Sequence, residues 1–176
     1  MAGPARLLPK KKEATIKWRK SVKFFKMTIV FALPLMLLTV GSLVKADERG
    51  NAAEAKAMLE KAVAAVKADP AAALAEFVAD AKAKEGTYFE KDLYVFCGGP
   101  DGNFTAHPSL VGKSMKGLMD KGTPPKAVGE EFYKVAAAGG GEVTYSWPLP
   151  GGVEPQKKVS IVAPVGDQVC AVGYYP

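Results

Sequence analysis

The 176-residue chain predicts an α+β fold: two N-terminal helices, then a five-stranded antiparallel sheet, with one apolar helix ahead of them that crosses a membrane. Three observations carry that prediction. Met27 to Val44 is a run of eighteen residues without a charge, flanked by Lys26 and Lys45 and just long enough to span a bilayer. From Asp47 to Lys84 apolar side chains recur at helical spacing. From Asp92 onward the pattern changes to brief apolar runs parted by glycine and proline, as in antiparallel strands.

Residues 1–26 form a basic leader, with nine Lys and Arg against Glu13 alone. That excess orients the apolar segment, residues 27–46, with the leader in the cytoplasm and everything after Ala46 outside. Two fates stay open for the segment. Val44-Lys45-Ala46 offers the small residues a signal peptidase needs, whereas a 26-residue basic region is long for a signal peptide and favours a retained anchor.

Residues 47–91 hold the helices. The first is predicted from Asp47 to Ala68, with Ala55, Leu59, Ala62, Val63 and Val66 on its buried side. Asp69-Pro70 caps and restarts a second helix, which runs to about Lys84 with Leu74, Phe77, Val78 and Ala81 inward and Gly86 as its stop. Residues 92–176 hold the strands Leu93–Cys97, Phe104–His107, Glu142–Trp147, Lys157–Ala163 and Gln168–Tyr174. Between the second and third strands lie a Gly- and Pro-rich stretch, Leu110 to Lys126, and a short amphipathic helix, Val128 to Ala138, ended by Gly139-Gly140-Gly141.

The formal net charge of +6 belongs to the leader, since fourteen basic residues face seventeen acidic ones from Asp47 onward. The body therefore has no electrostatic footprint for nucleic acid. A single histidine, His107, excludes a metal cluster built on imidazoles, and the chain holds neither GxSxG nor GxxxxGK[ST]. Glu130, Glu131, Glu142 and Asp167 fall on predicted helix faces and turns, where solvation is their fate. The reading is non-enzymatic, with no cofactor and no metal.

Several side chains still invite a role. Cys97 and Cys170 both follow the span, as one disulfide or as two small buried residues. Tyr94 and Phe96 share one face of their strand, as do Tyr145 and Trp147, either as core or as the wall of a small-molecule pocket. His107, followed by Pro108, either fixes its loop or donates to a ligand carboxylate. Lys157 and Lys158 point to opposite faces, so at most one looks inward, and a buried lysine demands an anionic partner. In the leader, Trp18, Arg19, Lys20, Phe24 and Phe25 interleave bases with aromatics, suited to docking on anionic lipid or on another membrane subunit.

Asp92 to Cys97 (DLYVFC), His107-Pro108, Leu110-Val111-Gly112, Asp120-Lys121-Gly122, Val143 to Pro148 (VTYSWP), Lys158 before its strand and the terminal Gly173-Tyr174-Tyr175 together resemble the small single Cache domain, over roughly residues 50–176. The resemblance implies an extracytoplasmic, PAS-like sheet behind a long N-terminal helix, a module that often senses small carboxylates for chemoreceptors and kinases. It implies Lys158 as the inward lysine, which joins Tyr94, His107, Tyr145 and Trp147 as the candidate ligand set. It also makes the first and last strands neighbours, which would join Cys97 to Cys170. Where the family usually carries an aromatic, this chain has Ile161, so one polar tip is expected to be missing from the pocket.

Signalling members continue into a second membrane helix and an output domain, whereas this chain stops at Pro176, so a signal is expected to leave through a partner. The function expected first is an accessory or scaffold subunit of a bacterial inner-membrane complex, possibly energy-transducing, with its C-terminal domain in the periplasm and other membrane subunits and the lipid bilayer as partners. The alternative is a periplasmic module that binds a small carboxylate and reports to a separate receptor.

Overall fold

The computed structural model describes residues 49–176. The leader with Trp18, Arg19, Lys20, Phe24 and Phe25, and the apolar segment at 27–46, lie outside the described residues. Among the described residues no helix is long and apolar enough to cross a membrane.

Two helices come first, α1 (Ala52–Ala68) and α2 (Pro70–Ala83). The first begins later than its apolar spacing suggested because Asn51 and Glu54 form a capping box, each side chain accepting from the other's backbone N–H. Asp69 then accepts from the Ala72 N–H and Pro70 opens α2, as the sequence indicated. The second helix stops before Gly86: Lys84 takes the left-handed conformation at φ 59°, and its N–H bonds the Asp80 carbonyl.

The strands are β1 (Phe89–Glu90), β2 (Leu93–Gly98), β3 (Phe104–Ala106), β4 (Gly141–Pro148), β5 (Pro155–Val165) and β6 (Gln168–Tyr174), with α3 (Val128–Ala137) between β3 and β4. All pairings are antiparallel in the order β1-β2-β6-β5-β4, and β3 also pairs with β2. The sheet thus has six strands rather than five. The extra one, β1, is two residues long, too short to leave a periodic trace. The return strand ends at Ala106 instead of His107, because the His107 ring accepts the N–H groups of Ser109 and Leu110 and turns the chain away.

Each face of the sheet buries its own cluster. On one, α1 and α2 place Ala55, Leu59, Ala62, Val66 and Phe77 over Leu93, Val95, Cys97, Cys170 and Val172. On the other, α3 and the long loop place Phe132, Val128 and Met115 over Tyr94, Phe96, Val143, Tyr145 and Ala171. Strand alternation makes this division, since successive side chains point to opposite faces. It also corrects one expectation: Ile161 packs with the α1 and α2 cluster, so the residue there has no bearing on a pocket on the opposite face.

Cys97 and Cys170 are directly opposite in the β2–β6 register and form a disulfide, with Cα atoms 4.1 Å apart and no solvent exposure. Glu130, Glu131, Glu142 and Asp167 are exposed. Asp120 is held differently. Its carboxylate accepts from the N–H groups of Gly122 (3.1 Å), Lys126 (2.7 Å) and Ser146 (3.0 Å), tying the long loop to β4.

A candidate ligand-binding cleft

A cleft of about 510 Å³ opens on the α3 face of the sheet, between the end of α2, the loop after β3 and the β4–β5 turn. Its walls are Ala81, Lys82 and Lys84 from α2 and its cap, Phe89 from β1, Tyr94 from β2, His107 to Leu110, and Trp147 to Gly152. No acidic side chain lines it. Beneath it a second space, walled by Tyr94, Phe96, Phe104, His107, Leu118, Phe132, Tyr145 and Trp147, holds only about 10 Å³. That is room for a single water.

Tyr94 and His107 sit where the two spaces meet. His107 is buried, with its ring edge-on to Tyr94 and Phe104 at centroid distances of 5.6 and 4.9 Å. Its Nδ1 accepts from the backbone of Ser109 at 3.0 Å and of Leu110 at 3.2 Å. Burial, helped by the charge of Lys158, holds its pKa down to about 3, so the ring is neutral and, with Nδ1 an acceptor, its proton is on Nε2. One nitrogen fixes the loop, and the other is left to donate.

Lys158 is the least usual group in the site. It comes from β5, is fully buried, and runs across Gly173 of β6, where any Cβ would collide with its stem. Its Nζ donates to the Tyr94 hydroxyl at 3.0 Å and lies 4.3 Å from the Tyr94 ring centre and 4.9 Å from that of Tyr175. Among the described residues no carboxylate lies within ion-pair distance of it. Burial brings its pKa down to about 7, opposed by the charge of Asp92.

Asp92 spends one oxygen on the Gly50 N–H at 2.6 Å, while its Oδ2 is buried without a hydrogen-bond partner. The Tyr94 hydroxyl is pushed up in pKa by burial and then by Asp92, so it stays protonated. Because it accepts from Lys158, its own proton is free to be donated elsewhere.

The five predicted site residues thus separate. Tyr94, His107 and Trp147 line the open cleft, and Tyr145 lines only the small inner space, with its hydroxyl paired to Ser160 at 3.0 Å. Lys158 reaches neither space directly and lies behind Tyr94. Lys157 is exposed. Sequence reasoning missed Asp92, Phe89 and Tyr175 as parts of this neighbourhood. Asp92 was within reach of a period-2 argument, being two residues before Tyr94 and so on the same face. Among the described residues no group of three or more His, Cys, Asp or Glu side chains converges to hold a metal.

The family model for the Cache domain matches residues 7–169. The chain belongs to the Cache domain family. Among solved structures, a methyl-accepting chemotaxis protein from Vibrio parahaemolyticus is 26% identical at TM-score 0.56, covering 70% of this chain and 86% of that one. A Cache chemosensory domain described for its carboxylic acid recognition is 25% identical at TM-score 0.50, covering 68% and 84%. A periplasmic sensor domain of a chemotaxis protein shares the fold at 24% identity and TM-score 0.52, covering 68% and 86%. No curated protein sequence matches the chain. This Cache chain is therefore similar to chemosensory domains, and nothing in these likenesses points to an accessory subunit.

Proposed function

We propose that the domain is a non-catalytic, extracytoplasmic sensor module whose cleft binds a carboxylate. One observation carries the reading: Lys158 is a fully buried amine with no carboxylate within ion-pair distance among the described residues, set behind a cleft that no acidic side chain lines. An unpaired buried charge is costly, which is why the pKa of Lys158 falls to about 7, and a bound anion relieves that cost and favours the charged form. The acid accepts from the Tyr94 hydroxyl and from His107 Nε2–H, while Lys158 polarises Tyr94 from behind. Lys82 and Lys84 at the mouth favour an anion on approach. His107 has little basicity, and its Nδ1 is occupied by two backbone donors, which argues against acid–base catalysis. The carboxylic acid recognised by one of the similar chemosensory domains supports the same ligand class.

The periplasmic placement follows the charge asymmetry around residues 27–46, read as a retained span, and the periplasmic sensor domain among the similar structures. The accessory-subunit role draws on the leader alone and has no support among the described residues. Thermal melting of the purified chain against a panel of carboxylates and their uncharged amides tests the binding reading. Stabilisation by acids and not by amides, lost in Lys158→Met and in Tyr94→Phe, is expected. No stabilisation by any acid overturns it.

A further inference from the structure

Resting on the carboxylate reading above, we infer that the ligand is an acid with an aromatic or alicyclic body rather than a two- or three-carbon acid, its carboxylate inward at Tyr94 and His107 and its ring in the outer cleft against Phe89 and Trp147. Size decides this first. A short acid of four or five heavy atoms takes the place of about three waters, roughly 90 Å³. The inner aromatic space, at about 10 Å³, holds one. Placed in the outer cleft of about 510 Å³, the same acid leaves most of the volume to water. Bound small molecules usually bury most of their surface in sites of several hundred cubic ångströms.

The chemistry of the walls points the same way. Tyr94 and His107 are shared with the inner space, Lys82, Lys84 and Ser109 are exposed, and the other side chains of the lining are apolar, chiefly Phe89, Trp147, two leucines and three prolines. Proline has no N–H to offer, and indole and phenyl faces are flat and apolar, so the apolar part of this lining suits a ring and has little for a polar chain. Burying one phenyl-sized surface there is worth about a hundredfold in affinity over an acid lacking it.

Calorimetry on the purified full chain with acetate, propionate, phenylacetate and cyclohexanecarboxylate decides the matter. The expected result is binding of the two ring acids at least tenfold tighter than acetate, and at least a tenfold loss of that binding in Ser109→Trp, which narrows the cleft from an exposed wall position. Where Ser109→Trp lowers the melting temperature of the free protein, Pro150→Trp, from a different loop, takes its place. Acetate or propionate binding as tightly as the ring acids overturns the inference and leaves the carboxylate reading standing. Ring acids that bind the narrowed variants unchanged overturn the placement in the outer cleft. Failure of all four acids overturns the carboxylate reading itself, and this inference with it.

Discussion

Lys158 and Asp120 show how differently two charged side chains are accommodated in one fold. Lys158 is buried behind Tyr94, and its pKa falls from 10.5 to about 7 because burial disfavours the ammonium. Between those values the unfolded chain holds the proton and the folded chain does not, so stability rises as pH is taken from 7 upward. The ligand-free protein should therefore melt at higher temperature at pH 9 than at pH 7, and Lys158→Met should remove the difference in a melting series. A bound carboxylate favours the charged lysine, so acid binding should weaken by up to about tenfold per pH unit above 7, measured by calorimetry.

For Asp120, burial pushes the pKa up, but the N–H groups of Lys126, Ser146 and Gly122 and the Lys126 charge outweigh it and hold the carboxyl below 3.8. Its contribution is present above pH 4 and lost as pH falls through the lowered value. Asp120→Ala should cost about 2–4 kcal/mol in urea unfolding at pH 7 by orphaning three donors, and less as the pH approaches 3.

At the scale of elements, α3 is positioned by a close approach of backbones. Gly129, in its first turn, donates its N–H to the Leu118 carbonyl at 2.9 Å, and a Cβ there would collide with the Met115 and Lys116 carbonyls. Backbone gives way far less readily than the tip of a side chain, so Gly129→Ala should destabilise by about 2–4 kcal/mol despite alanine's better helix propensity. Because α3 carries Phe132 against Phe96 and Tyr145, the same variant should weaken ligand binding. Chemical denaturation and calorimetry read the two effects. The cap of α1 and the Asp69-Pro70 restart are local chemistry and were readable in the chain. The end of α2 near Lys84 was readable too, but not that Lys84 itself takes the left-handed cap, because glycine is the residue that usually takes that conformation.

For the molecule as a whole, the disulfide ties the first long strand to the last across 73 residues, at the centre of the sheet. Closing a loop of that length restricts the unfolded chain, and replacing both cysteines by alanine should cost about 3–5 kcal/mol, read from the shift in urea midpoint. Both sulfurs are fully buried, so mild reductant applied to the folded protein should leave the bond intact by mass spectrometry, while the same treatment in denaturant should break it.

Order, type and approximate extent of most elements were determined by the sequence alone, because helical spacing, strand alternation, caps and glycine turns act between near neighbours in the chain. The same local reasoning placed Tyr94, His107, Tyr145, Trp147 and Lys158 on faces and at strand ends. What only the tertiary structure decided was how those faces meet. Antiparallel pairing of β5 with β6 and of β6 with β2 lays the Lys158 stem across Gly173 and brings its amine to Tyr94, sixty-four residues away in the chain. It also leaves Ile161 on the opposite face and opens the cleft against the end of α2. Burial, and with it the depressed basicity of Lys158 and His107, depends on every layer packed around a group, and no short window of sequence contains those layers.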